Sequence, residues 1–467
     1  LCNELKDVAV LVGFPREKNG QLYNAAGLID GGEIKIEYFK HALPNYSVFD
    51  EKRYFVAGDQ TAVFTIEDTR FAITICEDIW QDAPVELAAA AGADIILNLN
   101  ASPFDMDKLR LRESQLVRQA KKYGVSIVYT NLVGGQDELV FDGGSMVVDR
   151  HGRICQKAAL FEEQLLAVNF IAGIPEYTET SAPDLTVGLI YKALVMGIRD
   201  YVQKNGFQGA VLGLSGGIDS ALVLALAAEA LGPEQVEVVM MPSRYTSDMS
   251  NQDAAKQADN LGVEYAVLPI EKPFIAFLDL LSEEFAGLAA DVTEENIQAR
   301  CRGILLMAIS NKKGKILLTT GNKSEMSVGY ATLYGDMAGG FAPIKDCPKL
   351  LVYQLAEYCN REREIIPRRV IERPPSAELR PDQKDTDSLP DYPILDEILK
   401  LYVEQDASLG EIVAKGFDAD TVKRIMRLVD INEYKRRQAP PGVKITQRAY
   451  GRDRRYPMTN KFRSDML

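Results

Sequence analysis

Gly213-Leu214-Ser215-Gly216-Gly217-Ile218-Asp219-Ser220-Ala221 lies between the apolar run 209–212 and the helix-like stretch 222–231. In order, these residues read as a strand, a phosphate-cradling turn and a helix. Adjacent glycines let the backbone approach an anion with no Cβ in the way, and the first amides of the following helix face it with the helix dipole behind them. Ser215 and Ser220 add hydroxyl donors. Asp219 is the odd member: a carboxylate beside phosphates is repulsive unless it holds a metal that bridges them, which points to Mg²⁺ on a nucleotide.

Outward from the loop, strands at 209–212, 236–241, 265–270 and 315–320 alternate with helices at 185–204, 220–231, 251–261 and 296–310. That alternation is the mark of a doubly wound parallel sheet, which binds ligands at the carboxyl ends of its strands. Upstream, short strands dominate (7–14, 22–29, 33–39, 62–66, 71–75, 94–99, 126–129, 145–148), with helices at 84–91 and 108–123. This is a first α/β domain. Residues 172–183 lose periodicity and concentrate turn formers, so a linker is expected at 172–184 between domains spanning 1–171 and 185–467.

A chain of 467 residues is long enough for two or three such units. No stretch approaches the roughly 20 apolar residues that span a bilayer, so no membrane partner is expected. The net charge of −14, from 53 Lys plus Arg against 67 Asp plus Glu, gives no footprint for nucleic acid. The basic runs 434–438 and 452–455 are expected to be a solvated face or an anionic-ligand pocket. Six unpaired-looking cysteines and two histidines argue against a zinc or disulfide framework and favour a reducing cytoplasm.

There is no Gly-x-x-x-x-Gly-Lys-Ser/Thr, so the loop is not that of GTPases or motor ATPases. SGGIDS instead resembles the loop of the ATP pyrophosphatases, which split ATP between the α and β phosphates. The segment Leu318-Thr319-Thr320-Gly321-Asn322-Lys323-Ser324-Glu325, the stretch 294–300, Tyr334-Gly335-Asp336 and the stretch 434–441 extend the likeness. Together they resemble the glutamine-dependent NAD synthetases over essentially the whole chain. The resemblance implies a nitrilase-like α-β-β-α sandwich followed by the doubly wound ATP pyrophosphatase domain. It implies ATP contacts at Gly213, Leu214, Ser215, Gly216, Gly217, Ile218, Asp219, Ser220, Thr320, Lys349 and Ser376. Asp219 and Glu325 would sit near Mg²⁺, and Asn296, Glu325 and Lys435 near deamido-NAD. Lys349 has a plain alternative as a solvated helix-start lysine, and a homo-oligomer is expected.

Amide formation needs nitrogen. Cys76 ends the apolar strand before Glu77-Asp78-Ile79-Trp80, where a nucleophile is exposed and the next backbone amide can face an oxyanion. A lone cysteine after an apolar strand is more often core. Lys40, at another strand end, matches the family's catalytic lysine, and its ammonium is expected to lower the thiol pKa. The resemblance assigns glutamine binding to Tyr46, Ser102 and Lys108; Ser102 has a plain alternative as a helix cap. The family's triad also has a Glu before the Lys, yet Glu4, Glu17 and Glu33 lie in the wrong contexts. With Leu1 opening the chain, an incomplete N-terminal segment is expected; otherwise Glu51 and Glu77 are the first carboxylates to test.

Three readings stay open from sequence. One is a bifunctional glutaminase and NAD synthetase using glutamine, ATP and deamido-NAD. Another is a different ATP pyrophosphatase amidotransferase such as GMP synthetase, although neither His41 nor His151 sits in a comparable triad segment. The third is an ammonia-using synthetase whose first domain is a scaffold.

Overall fold

The computed structural model describes residues 8–171, 173–178, 186–381, 383–387, 389–459 and 461. Of the linker expected at 172–184, only 173–178 are among them; 172 and 179–184 lie outside the described residues. The chain forms two compact units, Leu1–Gly134 with Phe141–Pro183, and Gly135–Val140 with Asp184–Leu467. Neither is contiguous in sequence.

In the first unit, β1 (Val10–Lys18), β2 (Gln21–Asp30) and β3 (Glu33–Phe39) form an antiparallel sheet. Asn19-Gly20 and Gly31-Gly32 join them with positive φ at every turn residue, the geometry that matches a two-residue turn to strand twist. Next come β4 (Val63–Ile66), β5 (Thr69–Ile75), α1 (Asp82–Ala90), β6 (Ile95–Asn100), α2 (Lys108–Tyr123) and β7 (Ser126–Asn131). They are followed by β8 (Val133–Gln136), β9 (Leu139–Asp142), β10 (Met146–Val148), β11 (Ile154–Lys157) and the short pair β12 (Phe170–Ile171) and β13 (Ile174–Pro175). Among the described residues a six-stranded sheet runs β11-β10-β7-β6-β5-β4, with β5, β6 and β7 parallel.

Strand alternation sends β5 side chains to both faces. Ile73 and Ile75 pack against Ala26 and Tyr38 of the three-stranded sheet, while Ala72 packs with Ile96, Val85 and Leu116 under α1 and α2. The layers are therefore helix, sheet, sheet. The parallel register places Cys76, after β5, and Ala101-Ser102, after β6, at one edge of the sheet.

The second unit contains α3 (Thr186–Lys204), β14 (Ala210–Gly213), α4 (Ile218–Leu231), β15 (Val236–Met240), α5 (Asp248–Leu261), β16 (Tyr265–Val267), α6 (Glu271–Leu280), α7 (Val292–Lys313) and β17 (Ile316–Leu317). The strands are parallel in the order β16-β15-β14-β17, so the chain leaves β14 in both directions, the doubly wound arrangement. Helix α4 is apolar almost all round because it is buried almost all round. Later helices follow: α8 (Lys323–Val328), α9 (Lys349–Cys359), α10 (Arg368–Glu372), α11 (Tyr392–Leu399), α12 (Leu409–Ala414), α13 (Ala419–Ile431) and α14 (Glu433–Arg436). Leu395, Ile398, Ile412, Val422, Ile425 and Val429 build a separate apolar core for α11–α13.

Two expected strands are shorter in the structure. The one at 265–270 ends at Val267, since Ile270 turns inward to start α6 and pack with Phe274 and Val239. The one at 315–320 reduces to Ile316–Leu317, because Leu318 bridges to Phe341 and Thr319 N–H donates to Phe341 O at 2.9 Å. That departure opens the carboxyl end of the sheet.

Candidate functional site

In the second unit, the turn after β14 is held by its own hydroxyls. Ser215 N–H donates to Ser220 Oγ at 3.3 Å, Gly217 N–H to Ser215 Oγ at 3.2 Å, and Ser220 Oγ to Gly217 O at 3.0 Å. Gly216 takes φ +78°, and a Cβ there would meet Ser250 O at 2.3 Å, so only glycine fits. No side chain caps the start of α4 at Gly217, which leaves first-turn amides facing the space in front of the loop.

That space is a cavity of about 290 Å³ lined by Gly213, Leu214, Ser215, Gly217, Ile218, Asp219, Ser220, Thr320, Glu325, Lys349 and Ser376, all expected from sequence. Gly216 lies in the turn behind them. At its floor Lys349 Nζ, 1% exposed, lies 2.5 Å from Asp219 Oδ2 and 3.2 Å from Glu325 Oε1. Lys349 is no solvated lysine: two carboxylates hold it, and their charges raise its pKa against the cost of burial. Asn322 Nδ2 donates to the other Asp219 oxygen at 2.8 Å and caps α8 through Glu325 N–H. Burial, with Asp219 and Asp385 nearby, pushes the Glu325 carboxyl up to about 8. Ser376 Oγ donates to Gln383 O at 2.6 Å.

Asn296 and Lys435 do not line the cavity. Asn296 Oδ1 accepts from Thr332 Oγ1 at 2.8 Å, and Lys435 Nζ donates to Gly329 O and Ala331 O at 2.7 and 2.8 Å. They hold the segment that carries Thr332, which does line it. The basic runs are neither a solvated face nor an open anion pocket throughout. Arg436 is buried against the carbonyls of Met326 and Ser327, and Arg454 stacks 3.7 Å from the Tyr456 ring.

Sequence reasoning missed several cavity residues. Arg373 NH2 donates to Gly216 O at 2.7 Å and its NH1 to Ser250 Oγ at 2.8 Å. Arg302 donates from Nε to Met241 O, and burial pulls its pKa down to about 10. Asp385 accepts from Tyr392 Oη at 2.7 Å. A lone Arg or Asp in a loop or on a helix carries no local signal of such a position.

In the first unit, Cys76 follows β5 with φ +44°, a left-handed backbone costly for a side-chain-bearing residue. Lys40, 1% exposed, follows β3 and lies 2.6 Å from Glu51 Oε1. Lys40 pulls the Cys76 pKa down as expected, yet the net shift is upward. Burial and the charges of Glu51, Glu77 and Asp78 outweigh the pull of Lys40. Tyr46 Oη donates to both Glu77 oxygens at 3.0 Å, and Lys108 Nζ sits 4.5 Å over the Trp80 ring. Ser102 is no helix cap, since Asp107 occupies that position for α2. Its Oγ accepts from Arg112 Nε at 3.2 Å, and Arg112 NH1 pairs with Asp142 at 2.7 Å in full burial.

A model of the carbon-nitrogen hydrolases matches residues 3–172, and a model of the NAD synthases matches residues 190–439. The glutamine-dependent NAD(+) synthetase of Acinetobacter baylyi is 50% identical across 99% of this chain and 86% of its own. That of Thermotoga maritima is 47% identical across 98% and 86%. The structure of the Acinetobacter baumannii enzyme in complex with ADP superposes with a TM-score of 0.78 at 46% identity, covering 97% of this chain and 85% of that one. The Cytophaga hutchinsonii enzyme, at 22% identity, shares the fold with a TM-score of 0.82 over 98% and 85%. A carbon-nitrogen hydrolase unit with a strained strand-end cysteine, joined in one chain to an NAD synthase unit with a glycine-rich anion loop, thus has full-length relatives of one kind, and the chain belongs to the glutamine-dependent NAD(+) synthetases.

Proposed function

We propose that this ligase converts deamido-NAD to NAD through an acyl-adenylate, with AMP and pyrophosphate as products and ammonia drawn from glutamine at Cys76. The observation that carries the reading is the cavity that gathers the glycine-rich turn, Thr320 and the Asp219–Lys349–Glu325 cluster. In this reading the turn amides and the Ser215 and Ser220 hydroxyls hold ATP phosphates, with Lys349, Thr320 and Ser376 around them. Asn296 and Lys435 shape the deamido-NAD side through the 329–332 segment. Water exclusion from the cavity protects the adenylate from hydrolysis.

The donor set fits Mg²⁺. Asp219, Glu325 and Asp385 bring three carboxylates near one ammonium, and the raised Glu325 pKa marks surplus buried negative charge. Among the described residues no group of three or more His, Cys, Asp or Glu has the arrangement of a protein-only metal site. Mg²⁺ usually takes one or two carboxylates and completes its shell with phosphate and water. Asp219 and Glu325 would hold it, and when bound it would neutralise charge on the departing pyrophosphate.

In the first unit, a carboxylate takes the Cys76 proton as the sulfur attacks the glutamine amide and hands it to the leaving ammonia, with Glu51 and Glu77 the first of those near the thiol to test. Water then cleaves the thioester to glutamate, while Lys40 faces the developing oxyanion and Tyr46, Ser102 and Lys108 surround the substrate. A homo-oligomer is the assembly that this reading expects. No described helix is long and apolar enough to cross a membrane, and the cysteine usage supports a cytoplasmic location. The test supplies glutamine or ammonium with ATP and deamido-NAD: both should yield NAD, AMP and pyrophosphate. ADP and phosphate as products would overturn the acyl-adenylate route.

A further inference from the structure

Asp78 is fully buried and accepts four hydrogen bonds. Its Oδ1 accepts from the backbone amides of His41 at 3.1 Å and Ala42 at 2.8 Å. Its Oδ2 accepts from Tyr38 Oη at 2.8 Å and Ile75 N–H at 2.9 Å. The four donors come from two strand ends: Tyr38, His41 and Ala42 bracket Lys40, and Ile75 immediately precedes Cys76. One carboxylate therefore fastens the turn carrying the ammonium to the turn carrying the thiol. Each strand lies in a different sheet, so the backbone ladders do not join these two turns.

Cys76 holds a left-handed backbone, which persists only where its surroundings over-determine it. The Asp78 bond to Ile75 N–H acts at that point. A buried carboxylate is costly without donors, and Asp78 has no ion pair among the described contacts. Burial pushes its carboxyl up, while the amides of Ala42 and Ile75, the Tyr38 phenol and the charge of Lys40 oppose that shift, and the oriented donors fix its direction.

We infer that Asp78 is a positioning residue of the glutaminase centre, setting Lys40 against Cys76 by clamping the two strand ends. The inference rests on the assignment of Cys76 and Lys40 under Proposed function. An amide at this position would turn a donor toward N–H groups on one side, so Asp78→Asn breaks the clamp with almost no change in volume.

The experiment compares the full-length wild type, Cys76→Ala and Asp78→Asn, each with saturating glutamine and with ammonium. Cys76→Ala is the control. If it keeps glutamine-driven synthesis, the assignment beneath the inference fails and the inference with it. With that control lost as expected, Asp78→Asn should reduce the glutamine-driven kcat by about a hundredfold, with the KM for glutamine within about threefold of wild type. Its ammonium-driven rate should stay within about twofold, which reports an intact second unit.

A second reading follows the pH dependence of Cys76 alkylation by iodoacetamide. The charged and titratable groups facing the thiol include Lys40, Lys108, Glu51, Glu77, Asp78, Tyr46 and Tyr129. If Asp78 acts only through its charge, removing it lowers the alkylation midpoint; if it seats Lys40, losing the seat raises the midpoint. The inference expects the rise. A glutamine-driven kcat within about threefold of wild type, or a fall in the midpoint, overturns it. Should Asp78→Asn fail to fold, Tyr38→Phe decides: it removes one of the four donors and should lower the same kcat by about tenfold, and an unchanged kcat overturns the inference.

Discussion

Lys40 Nζ lies 2.6 Å from Glu51 Oε1, with the lysine 1% exposed and the glutamate at the first turn of a short 3-10 segment, Glu51–Arg53. The pair ties the turn that follows β3 to the loop beyond it, beside the Cys76 thiol. A buried ammonium needs such a partner, because an unpaired charge in the interior is far more costly than a paired one.

Replacing Glu51 by Gln removes the carboxylate and keeps the volume. The expected outcome is a loss of roughly a hundredfold in glutamine-driven synthesis, since Lys40 loses its anchor. Ammonium-driven synthesis should be unaffected, and parallel assays with the two nitrogen sources measure the difference. Equal losses with both sources would place Glu51 outside the glutaminase centre.

Cys76→Ala should abolish glutamine-driven synthesis and leave ammonium-driven synthesis intact, because the two chemistries occupy separate units. Intact-mass analysis of the wild type after a glutamine-like electrophile should show one adduct, absent from the variant. An adduct on Cys155, Cys301, Cys347 or Cys359 would argue against the assignment; all four of these thiols are buried.

Asp219→Asn should lower pyrophosphate release by about a hundredfold or more with either nitrogen source. The amide leaves Lys349 with Glu325 alone and offers Asn322 Nδ2 a weaker acceptor. Near-normal release would remove Asp219 from the reacting phosphates.

Burial raises the Glu325 carboxyl to about 8 in the ligand-free protein, so a proton competes with any cation for it. A cation that binds its carboxylate must displace that proton, so affinity rises with pH up to the pKa and then levels. The apparent affinity for Mg²⁺ should therefore increase by roughly tenfold per pH unit below about 8. Calorimetry at pH 6, 7 and 8 reads it, and Glu325→Gln should flatten the slope. A slope that persists in the variant would assign the proton to another group.

Arg112 and Asp142 form a fully buried pair, with Arg112 also donating to Ser102 O and Pro103 O. Arg112→Ala leaves the buried Asp142 carboxylate without its counter-charge, with only Asn131 Nδ2 at 3.4 Å as a side-chain donor, and Pro103 O without its Arg112 donor, at a cost of about 3–5 kcal/mol to the first unit. Urea unfolding should show that unit opening first while ammonium-driven activity survives.

The glycine-rich turn was legible in sequence because its chemistry is local: Gly216 takes a conformation and a backbone approach that no other residue tolerates. The strands around it were legible for the same reason, their periods being short-range. Lys349 was harder, since the sequence shows a lysine after a proline at a helix start, and only packing reveals that Asp219 and Glu325 close over it. The pull of Lys40 on the Cys76 thiol is visible as a motif, whereas the desolvation and three carboxylates that outweigh it are set by the fold. Asp78 lies beside the cysteine in sequence, yet its partners come from the end of another sheet.

Gly135–Val140 belongs to the second unit although it precedes that unit's other residues by more than a helix of sequence. Asp200 Oδ2 accepts from Gly135 N–H at 2.7 Å, Lys204 Nζ donates to Gly135 O at 2.7 Å, and Lys444 N–H donates to Glu138 O at 2.8 Å. A gene cut at the apparent boundary would thus deliver a synthetase missing a piece of itself. The borrowed hairpin makes the two halves inseparable as heirlooms: neither can be transplanted, swapped or lost by simple recombination at the join without unmaking part of its neighbour.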